Sequence, residues 1–389
     1  MNPLFTQKTC ASILSLFMGF SCAFSAQAMD LRRACDPAED TLTIGGVGDL
    51  LIHKYIQNAA QKKKGHYSYL WKNVKSHIQG VDIMYANLET PLAAGVARDG
   101  TLHPDPGVFW DEREYIYSGY PAFNTPPELA KNLKAGGFDI VSTANNHAAD
   151  RGLIGIDKTI DSLESAGLQF TGSRRKGDRN SFATIVNKKG WKVAFIACTY
   201  GVNGKSGTAI RGQILQCYSQ KSLLLSEIRN ARKVADVVVV TPHWGTENVH
   251  RPQSSQVSLA QEIVDAGADL VIGTHAHVVQ PIQKFKSSDG REVPVVFGTG
   301  NFVSSQPGIN KLGLMVIAGF SRRGNQVWAN GLRHLPLYMT RSYLSVDFLD
   351  QVKPENQRKL WSVVSNVVGN DFGLMNSREP IKTNPLCGN

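Results

Sequence analysis

Apolar residues fall into short, nearly continuous runs at 42–47, 83–86, 140–143, 193–198, 237–241, 270–272 and 295–297, each ending in polar residues. Runs this short read as strands buried on both faces. Between several of them lie stretches of helical spacing. One spans 125–135, opened by Pro126-Pro127 and closed by Gly136-Gly137; others span 157–166, 222–234 and 254–266, the last closed by Gly267. Proline in a first turn and glycine past a last one are ordinary helix boundaries. Strands alternating with helices predict a layered α/β fold. Open sheets of that kind place their sites beyond the C-terminal ends of the strands.

The partition that follows is a leader at 1–28, a short N-terminal segment at 29–41, a main domain at 42–305, and C-terminal strands with a helical tail at 306–389 packing on it. Lys62-Lys63-Lys64 reads as a solvated helix face. Residues 95–119, with Trp110, Tyr115 and Tyr117, form an insertion that is either a lid over substrate or a plain surface excursion. Beyond the N-terminus no apolar run approaches the roughly 18 residues of a membrane span.

The leader rests on three features: Lys8 is the only charge before Asp30, an apolar stretch covers 11–24, and Ala26-Gln27-Ala28 is a small-x-small cleavage signal. The expected mature start is Met29, and the expected location is periplasmic or envelope-associated. A retained anchor is the rival, with an apolar run short for a span. A lipoprotein at Cys22 is disfavoured because Gly19-Phe20-Ser21 lacks the expected Leu. Cleavage removes one lysine and no acid, lowering the formal charge from +10 to +9. A basic exported protein suits anionic surroundings such as phospholipid or an acidic polymer. No basic stripe is interleaved with aromatics, which argues against nucleic acid. Four cysteines remain after cleavage, Cys35, Cys198, Cys217 and Cys387. The favoured pairing joins Cys198 to Cys217 around one loop and Cys35 to Cys387 near the two ends; free thiols are the alternative.

Five polar clusters follow the predicted strands: Gly48-Asp49, Asn87-Leu88-Glu89, Asn145-Asn146-His147, His243-Trp244-Gly245-Thr246-Glu247 and Gly273-Thr274-His275-Ala276-His277. Singly each has an ordinary structural reading, as a turn, a helix cap or a hydrogen-bonding histidine. The His-x-His pair says more, because alternate residues of an extended segment point the same way. Together the clusters supply the oxygen and nitrogen donors of a divalent metal site, without distinguishing Mn, Fe, Zn or Mg.

The order GD, NLETPL, NNHAADRG, HWGTE, GTHAHV and GTGNF resembles the CapA/PgsA-type poly-γ-glutamate capsule biosynthesis proteins over residues 43–302. That family looks like a divergent branch of the calcineurin-like metallophosphoesterases. The resemblance implies a four-layer α/β sandwich, two β-sheets flanked by helices. It also implies roles: Asp49, Glu89, Asn146, His243, His275 and His277 as metal ligands, with Glu89 where a bridging aspartate is usual, and His147 as the catalytic histidine. Two departures stand out. Leu51 occupies the place of the histidine in the usual Asp-x-His, and Glu89 replaces aspartate. His53 could substitute for the missing ligand or be an outer histidine. Glu247 could orient His243 or contact substrate.

Such a site would activate water for attack on phosphorus, or on an amide carbonyl, with His147 protonating the leaving group. The expected function is a metal-dependent hydrolase in capsule or envelope polymer biosynthesis. Its substrate would be an anionic polymer or phosphoester, and capsule synthesis or export machinery its partner. The alternative is a non-catalytic polymer-handling or export component with a structural metal site.

Overall fold

A computed structural model describes residues 40–64, 66–107, 115–204, 207–340, 344–354, 357–369 and 372–379. The leader, the Cys35–Cys387 pairing and Trp110 lie outside these residues.

β1 (Asp40–Leu50), β2 (Ile83–Leu88), β3 (Ile140–Ser142) and β4 (Gln169–Thr171) run parallel, side by side. β5 (Thr184–Lys188), β6 (Trp191–Thr199), β7 (Val237–His243), β8 (Leu270–Ile272), β9 (Ile282–Lys286) and β10 (Glu292–Val296) form a second sheet, ordered β5-β6-β7-β8-β10-β9. The chain then returns to the first sheet. β11 (Asn301–Val303) pairs with the end of β1. The antiparallel strands β12 (Leu312–Arg323), β13 (Gln326–Thr340) and β14 (Ser345–Phe348) extend its other edge, giving β14-β13-β12-β1-β2-β3-β4.

Separate apolar cores set the layers. Ile44, Ile83, Tyr85 and Val316 of the first sheet meet Val193, Phe195, Val239 and Ile272 of the second. The outer face of the first sheet is covered by α1 (Lys54–Lys62), α2 (Lys75–Gly80) and α3 (Glu128–Gly136), through Ile56, Ile78 and Leu133. α4 (Gly152–Ser165) and α5 (Thr208–Gln213) pack through Ile156, Ile160 and Ile210 on Ala144 and Ala197 at one flank. The outer face of the second sheet is covered by α6 (Lys221–Arg232) and α7 (Ser254–Ala266), through Leu224, Ile228, Leu259 and Ile263. This is the expected order, two sheets flanked by helices. Strands buried on both faces have no polar side to alternate with, which is why they appear as unbroken apolar runs.

Boundaries differ from the sequence reading where side chains set them. The helix expected from residue 125 starts at Glu128, with Pro127 as its cap. α4 starts at Gly152 rather than 157. Buried Arg151 fixes that start by donating to Ile116 O at 3.0 Å and Ser118 Oγ at 2.6 Å. α7 spans the expected 254–266. Lys62 ends α1, with Lys63 as its cap, and Lys62, Lys63 and Lys64 are all exposed, as a solvated face requires. The described parts of the 95–119 insertion are tied to the body: the Asn124 side-chain amide donates to Ala93 O and Ile116 O at 2.9 and 3.0 Å.

Candidate metal centre

Asp49 and Leu50 end β1, Asn87 and Leu88 end β2, and His243 ends β7. All three ends extend further than expected because their ladders continue: Asp49 pairs across to Asn87 on one side and Asn301 on the other, and His243 pairs with Thr199. Asn145, Asn146 and His147 follow β3, and Thr274 to His277 follow β8. Both sheets therefore deliver their C-terminal strand ends to one place.

Asn87 lies at the centre. Its amide donates to Asp49 Oδ1 at 2.7 Å and Glu89 Oε2 at 3.3 Å, and lies 3.2 Å from His243 Nδ1. His243 Nδ1 is also 3.0 Å from Thr274 Oγ1, while its Nε2 is 2.8 Å from Asn146 Oδ1 and 3.5 Å from Glu89 Oε1. His277 Nδ1 is 3.1 Å from Asp49 Oδ2 and 3.0 Å from Asn301 Oδ1. Two sets of donors, each within 4.8 Å of one another, could hold a metal ion and share Glu89: Asp49–Glu89–His277, and Glu89–His243–His275. Asn146 Oδ1 joins the second set through its contact with His243.

The His-x-His pair converges for a reason other than the expected one. Residues 275–278 form a bend, not an extended segment, and His275 and His277 have φ of 91° and 55°. Left-handed backbone at a side chain with a Cβ is strained, and surrounding contacts must hold it. Here they are His275 N donating to Asp49 Oδ2 at 3.4 Å and Asn248 N donating to Ala276 O at 2.8 Å.

Burial and neighbouring charge divide the ionisable groups. Burial pushes His243 down to about 3 and His275 to about 2, so both are neutral and keep a lone pair for a metal. Burial also opposes charge on His277, but Glu89 and Asp49 outweigh it and lift that imidazole to about 9. Burial would raise Asp49, and the bond and charge of His277 pull it lower instead. Burial and the Asp49 charge hold Glu89 well above the usual carboxylate range. Glu89 Oε1 and His275 Nδ1 are buried without a hydrogen-bond partner. Unpaired buried polar atoms are costly unless something else satisfies them. Two such atoms on adjacent donors, amid oxygen and imidazole ligands, fit a divalent cation.

His147 stands beside the cluster. Its Nδ1 is 2.7 Å from Asp150 Oδ2, a bond that outweighs burial and raises its pKa. Its ring meets Phe123 edge-on at 4.7 Å, and Phe123 in turn meets His53 at 5.3 Å. His53 does not take the place left by Leu51: its Nδ1 is 3.1 Å from Leu51 O and it lies in none of the metal-capable sets among the described residues. The chain leaves the alternating path after β1, so spacing of two no longer means the same face. Glu247 is exposed, and its carboxylate groups with His275 and His277 rather than orienting His243. Thr274 and Asn87 hold the His243 ring instead. The sequence reading gave no role to Asp150, Thr274, Asn301 or Tyr200. Asp150 was signalled only by its i,i+3 spacing from His147. Tyr200 follows Cys198, which is bonded to Cys217 as expected, and its half-exposed ring lies 4.4 Å from His275.

Two sheets between helical layers, with a buried carboxylate–histidine cluster at their joined strand ends, define an α/β protein with a site able to hold a metal. The chain belongs to the bacterial capsule synthesis protein PGA_cap family, whose model matches residues 43–306. It is similar to the PGA biosynthesis protein CapA of Bacillus subtilis (strain 168), 26% identical over 76% of this chain and 70% of that protein. It is also similar to the capsule biosynthesis protein CapA of Bacillus anthracis, 27% identical over 69% of this chain and 61% of that one. A probable polyglutamine synthesis accessory protein of Mycobacterium tuberculosis (strain ATCC 25618 / H37Rv), Rv0574c, is 24% identical over 59% of this chain and 57% of its own length. The chain thus spans less than two thirds of two of these three relatives. Among solved structures it is similar to the calcineurin-like phosphoesterase YfkN of Bacillus subtilis, with TM-score 0.42 and 14% identity over 84% of this chain and 96% of that one. It is also similar to the Haemophilus influenzae NAD nucleotidase NadN, with TM-score 0.45 and 11% identity over 87% and 57%.

Proposed function

We propose that this protein is an exported, metal-dependent hydrolase acting on an anionic capsule or envelope polymer, or on a phosphoester formed during its synthesis. The observation that carries the reading is the pair of unpartnered buried atoms, Glu89 Oε1 and His275 Nδ1, among ligand-type side chains from five chain segments. Asp49, Glu89 and His277 would hold one divalent ion, and Glu89, Asn146, His243 and His275 another. Such ions supply a Lewis acid and lower the pKa of water beside them.

The remaining chemistry belongs to the side chains. Asp150 engages His147 Nδ1, leaving Nε2 as the nitrogen that passes a proton to the leaving group. Phe123, packed edge-on, keeps that ring from turning. The similarity to the Bacillus capsule biosynthesis proteins supports a role in capsule synthesis, and the net positive charge of the chain favours an anionic polymer. Export is supported by Ala26-Gln27-Ala28. The second reading, a polymer-handling protein with a structural metal, is favoured by Leu51, which puts an apolar side chain where a ligand is usual.

The test begins with elemental analysis of purified protein. It continues with turnover of p-nitrophenyl phosphate, bis(p-nitrophenyl) phosphate and poly-γ-glutamate in the presence of Mn. His275→Ala/His277→Ala should lose both metal and turnover. His147→Ala should keep the metal and lose turnover. Metal bound without turnover of any substrate supports the second reading, and metal content unaffected by the double replacement overturns both. N-terminal sequencing of protein from the envelope fraction should begin at Met29; a retained Met1 overturns export with cleavage.

A further inference from the structure

We infer that Asn301 is a positioning residue that fixes which nitrogen of His277 faces the metal, an inference that rests on the function proposed above. Asn301 is buried on β11, directly across the ladder from Asp49. Its amide has one orientation available. Nδ2 donates to Asn310 O at 2.9 Å and to Gln306 Oε1 at 2.8 Å, and neither atom can donate in return. Oδ1 is therefore the atom that faces His277 Nδ1, at 3.0 Å. An amide oxygen only accepts, so Nδ1 keeps its hydrogen and Nε2 is the nitrogen that gives up its proton when a metal binds. Nε2 is the nitrogen on the Glu89 side, 3.9 Å from Oε1.

Asp49 Oδ2 also lies 3.1 Å from His277 Nδ1. Asp49 is itself one of the assigned ligands, and a carboxylate engaged with a cation is a weaker acceptor toward a neighbouring imidazole. Asn301 is then the acceptor left to hold the ring. The same network braces the bend from outside. Asn310 Nδ2 donates to Asn248 Oδ1 at 2.6 Å, and Asn248 N donates to Ala276 O at 2.8 Å. Groups that orient ligand histidines typically change metal affinity about 10- to 100-fold when removed.

Two substitutions separate positioning from mere packing. A packing role works through Nδ2 and its bonds to Asn310 and Gln306. A positioning role works through Oδ1. Asn301→Asp discards the first and keeps the second; Asn301→Leu discards both. The experiment titrates the full-length purified protein with Mn(II) alone and reads free Mn by electron paramagnetic resonance, so no turnover is needed. Asn301→Leu should bind Mn about 10- to 100-fold more weakly, and Asn301→Asp should stay within about threefold of the parent or bind more tightly, its acceptor being retained. Parent-like affinity in Asn301→Leu overturns the inference, and so does an Asn301→Asp variant as weak as Asn301→Leu. If Asn301→Leu does not fold, Asn301→Asp decides alone: a tenfold loss overturns the inference and retained affinity supports it. A parent protein that binds no Mn overturns the metal centre itself, and this inference with it.

Discussion

Gly48→Ala tests whether the strand ends that carry the site are as tightly fitted as the structure shows. A Cβ at position 48 would lie 1.8 Å from Gly300 O, where real Cβ contacts essentially never fall below 3.0 Å, so the strands must part by about 1.2 Å. Gly300 cannot simply withdraw. Its φ is +66°, and its backbone is bridged to Gly313. Parting the strands breaks the bond from Asp49 N to Gly300 O, now 3.2 Å. A lost backbone bond costs about 1 kcal/mol and overpacking about 1–3 kcal/mol, so the variant should be destabilised by about 2–4 kcal/mol. Function should suffer more than stability, because Asp49 and Asn301 lie on the two strands being parted. Misplacement by about 1 Å is enough to cost about a hundredfold in rate. Urea unfolding reads the first effect, and Mn titration with phosphodiester turnover reads the second. Gly212→Ala is the control: nothing lies within 4 Å of its Cβ, and alanine is favoured over glycine in a helix by about 0.5–1 kcal/mol. A Gly48→Ala protein within about 0.5 kcal/mol of the parent, roughly the spread of ordinary surface substitutions, with unchanged Mn affinity, would refute the reasoning.

Three further outcomes are expected. Cys198 and Cys217 are 19 residues apart, a separation worth about 3 kcal/mol in the chain-entropy account, so Cys198→Ala/Cys217→Ala should lower the urea unfolding free energy by at least that; a loss under about 1 kcal/mol contradicts it. His334 is buried, its Nδ1 lacks a partner, and burial lowers its pKa from 6.5 to about 4. The unfolded chain therefore binds the proton more readily between those values, and stability falls as pH drops from 6.5 toward 4, by about 3 kcal/mol at about 1.36 kcal/mol per unit. His334→Met should remove that part of the slope, and parallel stability–pH curves for parent and variant would exclude it. Asp150→Asn should leave Mn affinity unchanged and lower turnover about a hundredfold or more, since it loosens the ring that passes the proton on the proposed reading; a turnover loss below about threefold would remove Asp150 from that mechanism.

How much could be read from the sequence depended on what kind of force fixes each part. Val237–His243 and Ile83–Leu88 are buried on both faces, so their runs are unbroken and the strands were legible. Of α1 only the lysine-rich end was read as helical, because Lys54–Lys62 buries just Ile56, Gln57 and Ala60 and shows no apolar run. β4 and β11, three residues each, are set by pairing with neighbours rather than by their own pattern. The ligand-type residues were visible because each stands at or just past the end of an apolar run. Asp150, Thr274 and Asn301 were given no role, because each acts on the site through a hydrogen bond to a ring nitrogen. In sequence a polar residue looks the same whether it makes that bond or faces water. The direction of His53 was unreadable for a related reason: the alternation that would have aimed it inward ends with β1, and its ring turns back to the carbonyl of Leu51.

The departure at Leu51 gives the site its asymmetry. Leu51 is 2% exposed, and its N–H donates to Val303 O at 2.8 Å, so the backbone bond to β11 holds this buried residue in place. No small adjustment brings a donor into that position, and His53 is committed elsewhere. The set around Asp49 therefore has three protein donors, one of them shared, while the set around His275 has Asn146 as a fourth. Burial keeps His243 and His275 neutral, so the fuller set needs no imidazole proton removed before it can bind. His277, by contrast, is held protonated by Glu89 and Asp49, and an ion entering the poorer set has to displace that proton as well as manage with one ligand fewer. Both differences act in the same direction. On the proposed reading the two positions are unequal, with the stronger one on the His243–His275 side and Glu89 as the carboxylate common to both.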